Sequence, residues 1–117
     1  NIKTALVTNT SLNLVNHIRQ SINLDNFFSV FITASDVSAP KPSGIPYLQA
    51  ISQLNSSLDN TIVIEDSETG ILSGLNAGCE VIAITTTLNH DQIKKISEDV
   101  VVCKNYLEIK KYLQAKI

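Results

Sequence analysis

The stretch VIEDSETGILSGLNAG, Val63 to Gly78, decides how this chain is read. A β-branched run, Thr61 to Ile64, leads straight into two adjacent carboxylates, Glu65 and Asp66, and then into a helical pattern spaced by glycines. Two like charges ~4 Å apart repel by roughly 4 kcal/mol at an effective dielectric of ~20, so a positive group is expected beside them. The candidates are a metal ion and a lysine. A capping acid ahead of the helix accounts for one carboxylate and leaves the other unexplained. Gly70, Gly74 and Gly78 stand four apart, with Ser73 and Ala77 between them. Small residues at that spacing give one smooth helix face, let helix and strand backbones approach, and bring the helix N-terminus near Asp66. The pattern is not GxGxxG, so a dinucleotide-binding reading fails.

Outward from this stretch, strand and helix alternate. Strands are predicted at Thr4 to Val7, Val30 to Thr33, Thr61 to Ile64, Val81 to Thr85 and Val100 to Val102, short continuous runs of the kind buried on both faces. Helical spacing follows a capping Ser11 through Leu12, Val15, Ile18 and Ile22, and follows Pro46 through Leu48, Ile51 and Leu54. It recurs through Ile71, Leu72 and Leu75 up to a stop at Gly78. A short helix is predicted over Asp91 to Ser97 and a last one from a capping Asn105, with Glu108 three residues on, to about Lys116. The fold class is α/β: a three-layer, Rossmann-like parallel sheet with right-handed crossovers and helices on both faces.

Bulk properties narrow the function. A chain of 117 residues makes one domain with a real core and leaves no room for a second. With 44% hydrophobic and 17% charged residues and a net charge of −2, it lacks the basic excess of nucleic-acid binding. Apolar runs such as Val81 to Ile84 are far short of the ~20 residues of a bilayer span, and a cytoplasmic setting is the expectation. Cys79 and Cys103 lie at or beside strand runs and read as buried free thiols. The sequence contains no methionine, which reads as the mark of a piece of something longer.

In open parallel sheets ligands bind outside the carboxyl ends of the strands, and polar residues gather at three such ends. Thr8, Asn9, Thr10 and Ser11 run into a helix N-terminus, where hydroxyls, an amide and free N–H groups suit an anion; Ser11 as a plain cap is the structural alternative. Lys41 stands between Pro40 and Pro42, so it is cheaper to aim than a lysine on a flexible loop; a solvated turn lysine is the alternative. The third end carries Glu65 and Asp66.

Together these segments resemble three of the four motifs of the haloacid dehalogenase-like superfamily. ValThrAsnThr resembles the second motif, with Thr8 as the phosphate-binding hydroxyl, and LysProSerGlyIleProTyr resembles the third, with Lys41 as its lysine. GluAspSerGluThrGlyIle with the later AlaGly resembles the fourth, metal-binding motif of the branch holding phosphoglycolate phosphatase-like and β-phosphoglucomutase-like enzymes. The match spans nearly the whole chain. Gly44 stands where proline is frequent and Ser73 where alanine is common.

The resemblance implies a magnesium-dependent phosphatase or phosphomutase acting on a small phosphorylated metabolite. Asp66 would bind Mg²⁺ directly and Glu65 directly or through water. Lys41 would neutralise phosphate and nucleophile, and Thr8 with the backbone at Asn9 would hold the phosphoryl oxygens. This agrees with the chemistry, because phosphoryl transfer asks for positioned charge more than for bond-making groups. The first motif, an Asp-x-Asp that supplies the attacking carboxylate, occurs nowhere in the sequence. Residues 1–117 are therefore expected to form a single partial core domain carrying motifs two to four, without a cap domain and inactive alone. In the resembled fold the nucleophile strand lies between the strand ending at Thr8 and the strand ending at Glu65. The sheet is thus expected to be incomplete, its slot filled by a missing N-terminal segment or a swapped neighbouring chain, or closed by pairing Thr4–Val7 with Thr61–Ile64 directly. A naturally short, non-catalytic α/β module that binds an anion or metal is the alternative class. The other carboxylates, among them Asp25, Asp36, Asp59, Glu80 and Glu108, read as solvated, and His17 and His90 lack a nucleophile partner.

Overall fold

The computed structural model describes residues 2–116. Five strands alternate with five helices: β1 (Ala5–Val7), α1 (Leu12–Ile22), β2 (Val30–Ile32), α2 (Ile45–Gln53), β3 (Ile62–Glu65), α3 (Glu68–Ala77), β4 (Glu80–Ile84), α4 (His90–Ile96), β5 (Val101–Cys103) and α5 (Tyr106–Lys116). All strand pairs are parallel, as expected for strands joined by helical crossovers. Three single 3₁₀ turns, Leu24–Asn26, Ala34–Asp36 and Leu58–Asn60, lead into or out of strands and were not predicted by the apolar periodicity.

The strands form two sheets. One pairs β1 with β2, from Ala5 opposite Val30 to Val7 opposite Ile32, and the other runs in the order β3-β4-β5. The direct pairing of β1 with β3, one of the expected ways to close the slot, is not adopted, so each of these strands keeps an unpaired edge among the described residues. The two sheets are held together by α2, which packs on β1, on β2 and on α3.

Alternation along the strands sorts the core into two layers. Val63, Val81 and Ala83 pack with Tyr47 and Ile51 of α2, Ile71 and Ala77 of α3, and Ile93 of α4; Val7 of β1 reaches the same cluster. On the opposite face Ile82, Ile84 and Cys103 pack with Ile109 of α5. The glycine spacing of α3 explains its close seat: a Cβ on Gly74 would lie 2.8 Å from Val81 Cγ2 and 3.0 Å from Val63 Cγ1. The helix then ends at Gly78, whose φ of 90° is the left-handed conformation that stops a helix at low cost. Both cysteines are free and buried, and burial raises the pKa of each thiol. No helix is long and apolar enough to cross a membrane among the described residues.

Candidate active site at the strand ends

β1 and β3 carry their polar residues to the same end of the molecule, and Lys41 joins them. Its Nζ donates to the Val7 carbonyl at 2.8 Å and to Glu65 Oε2 at 2.5 Å, so one ammonium spans the interval between the two sheets. Both side chains of the pair are only 10% exposed. Removing water strengthens such a pair, yet it persists only where the remaining donors and acceptors are satisfied. Here the Tyr47 hydroxyl also donates to Glu65 Oε2. The lysine proposed from the charge argument is therefore the group found beside the acids, and it lies on Glu65.

Asp66 is placed differently. It is exposed, Thr87 Oγ1 donates to its Oδ2 at 3.2 Å, and its other oxygen accepts no hydrogen bond among the described residues. It opens the turn into α3, whose N-cap Ser67 accepts from the Gly70 N–H at 3.1 Å. Gly70 in turn makes room for the neighbouring acid, because a Cβ there would lie 2.0 Å from Glu65 Oε1. Of the two adjacent acids, one faces inward onto a lysine and the other faces solvent.

The Lys41 loop is fixed along its backbone. The Asn9 side chain brackets Lys41, accepting from its N–H at 3.1 Å and donating to its carbonyl at 3.3 Å. Asn76 Nδ2 donates to the Pro42 carbonyl at 2.9 Å, and Ser73 Oγ donates to the Ser43 carbonyl at 2.6 Å. The two departures from the family pattern prove to be neighbours. A Cβ on Gly44 would lie 2.6 Å from the Ala77 backbone nitrogen, so the loop settles directly on α3 there, and the wholly buried Ser73 satisfies the carbonyl brought down with it. Thr8 ends β1 with its N–H donating to the Ile32 carbonyl and its hydroxyl accepting from the Thr10 N–H at 3.1 Å. Thr8, Asn9, Lys41, Glu65 and Asp66 thus all lie at the carboxyl ends of β1 and β3 or on the loop clamped to them.

Tyr47, Ser73, Asn76 and Thr87 were not singled out as site residues. Tyr47 follows Lys41 by six positions inside the third-motif segment, which was the available signal; the others meet the site only through tertiary packing. The remaining acids are mostly exposed, with one correction: Glu80 is the half-buried first residue of β4, where Tyr112 and Lys116 of α5 donate to it.

The strand ends thus place hard carboxylate oxygens beside a fixed ammonium. Mg²⁺ takes one or two carboxylates and fills its other positions with water and phosphate oxygens, so the outward Asp66 with Glu65 behind it suits that ion. Among the described residues no third Asp, Glu, His or Cys joins them in a metal-binding group.

The fold and these strand ends define a haloacid dehalogenase-like hydrolase, and the chain belongs to that family, whose model matches residues 1–84. It is 38% identical over 87 residues to glycerol-1-phosphate phosphohydrolase 2 of Saccharomyces cerevisiae, covering 68% of this chain and 34% of that protein. To phosphoglycolate phosphatase of Salmonella typhi it is 28% identical over 104 residues, covering 89% of this chain and 41% of that protein. Among solved structures, a Thermotoga maritima protein assigned as a β-phosphoglucomutase superposes with a TM-score of 0.86 at 25% identity, covering 99% of this chain and 54% of that one. The chain thus spans between about a third and a half of the length of these relatives.

Proposed function

We propose that this chain is the phosphate- and metal-holding part, motifs two to four, of a Mg²⁺-dependent phosphatase or phosphomutase that acts on a small phosphorylated metabolite. The observation that carries the reading is Lys41 fixed between the ends of β1 and β3, with Asp66 open beside it. In this reading the Lys41 ammonium and the Thr8 hydroxyl receive the phosphoryl oxygens, with the Asn9 N–H as a further donor. Asp66 holds Mg²⁺ and Glu65 keeps the lysine in place. The ion supplies charge neutralisation for the transferring group. The attacking carboxylate comes from outside this chain, since none of its 117 residues belongs to an Asp-x-Asp pair.

The unpaired edges of β1 and β3 give the same reading a structural side. An edge strand presents a row of backbone donors and acceptors, and each one buried without a partner costs about 1–3 kcal/mol. An extended segment from upstream in a longer protein, or from a swapped neighbouring chain, would satisfy both edges and deliver its carboxylate beside Lys41. The names of the relatives, glycerol-1-phosphate phosphohydrolase and phosphoglycolate phosphatase, support that class of molecule.

The test is turnover of an aryl phosphate with Mg²⁺. The polypeptide alone is expected to show none, whereas a fusion that places an Asp-x-Asp strand before it is expected to turn over. Asp66→Asn should lower the rate of that fusion by about 10²-fold or more. A folded fusion whose Mg²⁺-dependent rate survives Asp66→Asn refutes the metal role. Activity of the isolated chain that survives repurification refutes the external nucleophile.

A further inference from the structure

One carboxylate oxygen lies between two donor side chains. Glu65 Oε2 accepts from Lys41 Nζ at 2.5 Å and from the Tyr47 hydroxyl. Tyr47 touches the other partner as well, because the Lys41 ammonium stands 5.2 Å from the centre of its ring. The phenol is 9% exposed, and its ring belongs to the core cluster with Ile51, Val63 and Ile71. A phenylalanine would fill that core position equally well, so packing does not account for the hydroxyl.

Electrostatics accounts for it. A carboxylate held by one ammonium can pivot about that contact, and a pivoting acid leaves the ammonium loosely placed. A second donor on the same oxygen fixes the plane of the carboxylate, and a neutral donor does so without adding charge to the site. The ring face also favours a cation at this position.

We propose that Tyr47 is a positioning residue: its hydroxyl locks the Glu65 carboxylate, and the locked carboxylate together with the ring face holds the Lys41 ammonium at the strand ends. What Lys41 is held for rests on the phosphate-binding reading above; the holding itself does not.

The test uses the 117-residue chain and two measurements, the first with a substitute should the variant fail to fold. The first is solvent exchange of the Lys41 ammonium protons, followed by ¹⁵N NMR and assigned with Lys41→Arg. Tyr47→Phe keeps the ring and removes one hydrogen bond to a charged group, so this exchange should quicken about tenfold or more while the amide spectrum of the core is unchanged. Unchanged exchange in a folded Tyr47→Phe chain overturns the proposal. If that variant does not fold, tyrosine emission of the unaltered chain against Glu65→Gln decides. The sequence has three tyrosines and no tryptophan, and a phenol donating to a carboxylate is quenched, so emission should rise when Glu65 is neutralised. No rise overturns the lock. The second measurement is titration with inorganic phosphate and Mg²⁺, whose affinity should fall about tenfold in Tyr47→Phe, matching the lost hydrogen bond. Absence of phosphate binding by the unaltered chain would refute the phosphate reading and leave the exchange result to judge Tyr47.

Discussion

β4 and β1 carry the same kind of sequence and end in different surroundings. In β4, Val81, Ile82, Ala83 and Ile84 are between 0% and 4% exposed, because β3 and β5 flank the strand and helices cover both of its faces. In β1, Ala5, Leu6 and Val7 are all only half-buried, because β2 is the single neighbouring strand. Ile64, at the unpaired edge of β3, is 45% exposed for the same reason. An apolar β-branched run thus specifies a strand, while the burial of that strand is set by its neighbours. The stability of this molecule should accordingly be concentrated in the β3-β4-β5 half.

Truncation of side chains gives the largest test of that asymmetry. Ile82→Ala in β4 is expected to cost about 2–5 kcal/mol, as for any fully buried isoleucine, and Leu6→Ala in β1 well under half as much. Chemical denaturation of the two variants side by side measures the ratio, and equal losses would show that the two halves share one core. Adding a strand that pairs with β1 should raise the cost of Leu6→Ala toward that of Ile82→Ala.

Lys41→Met comes next, because Lys41 is the polar link between the halves. It strands Glu65, 10% exposed, without its cation, and breaking a buried pair in this way costs up to about 3–5 kcal/mol. Amide exchange should quicken in β1 and β2 and stay slow in β4. If β1 keeps its protection, α2 alone joins the sheets.

The glycines of α3 divide along the same line between core and site. Gly74→Ala would press a methyl onto Val81 and Val63 inside the core and is expected to lose about 1–3 kcal/mol, less the gain of up to ~1 kcal/mol in helix propensity. Gly70→Ala meets only the end of the Glu65 side chain, which can rotate away. The fold should survive that change while Glu65 swings off Lys41, and the Lys41 ammonium resonance should shift accordingly.

Much of this was legible because it is local. The run from Thr61 to Ile64, the acids after it and the glycine spacing identify β3, its end and α3 without any long-range information. Legibility stopped where partners are distant. Leu12, Val15, Ile18 and Ile22 mark one face of α1, yet only Val15 is buried, since periodicity tells which face is apolar and not whether anything covers it. The lock on Glu65 comes from a residue eighteen positions away whose hydroxyl is invisible to a hydrophobic pattern. Glu80 looked like a solvated acid because the turn at Gly78 is so short that β4 begins one residue earlier than its apolar run.

That acid provides the smallest test, on the well-packed side of the comparison. Tyr112 and Lys116 donate to Glu80 and hold its carboxyl below the ordinary glutamate range. A group whose pKa is lower folded than unfolded binds its proton more readily in the unfolded chain, so its contribution is present above the unfolded value, about 4.3, and drains away as pH falls through the folded one. Lys116 moves the opposite way, raised by the same hydrogen bonds, so its share is kept below its unfolded value, about 10.4, and lost above it. The difference in melting temperature between the unaltered chain and Glu80→Gln should therefore form a plateau between about pH 5 and pH 9 and shrink on both sides. A difference that does not change with pH would mean that Glu80 serves β4 through packing alone, with neither Tyr112 nor Lys116 favouring its ionised form.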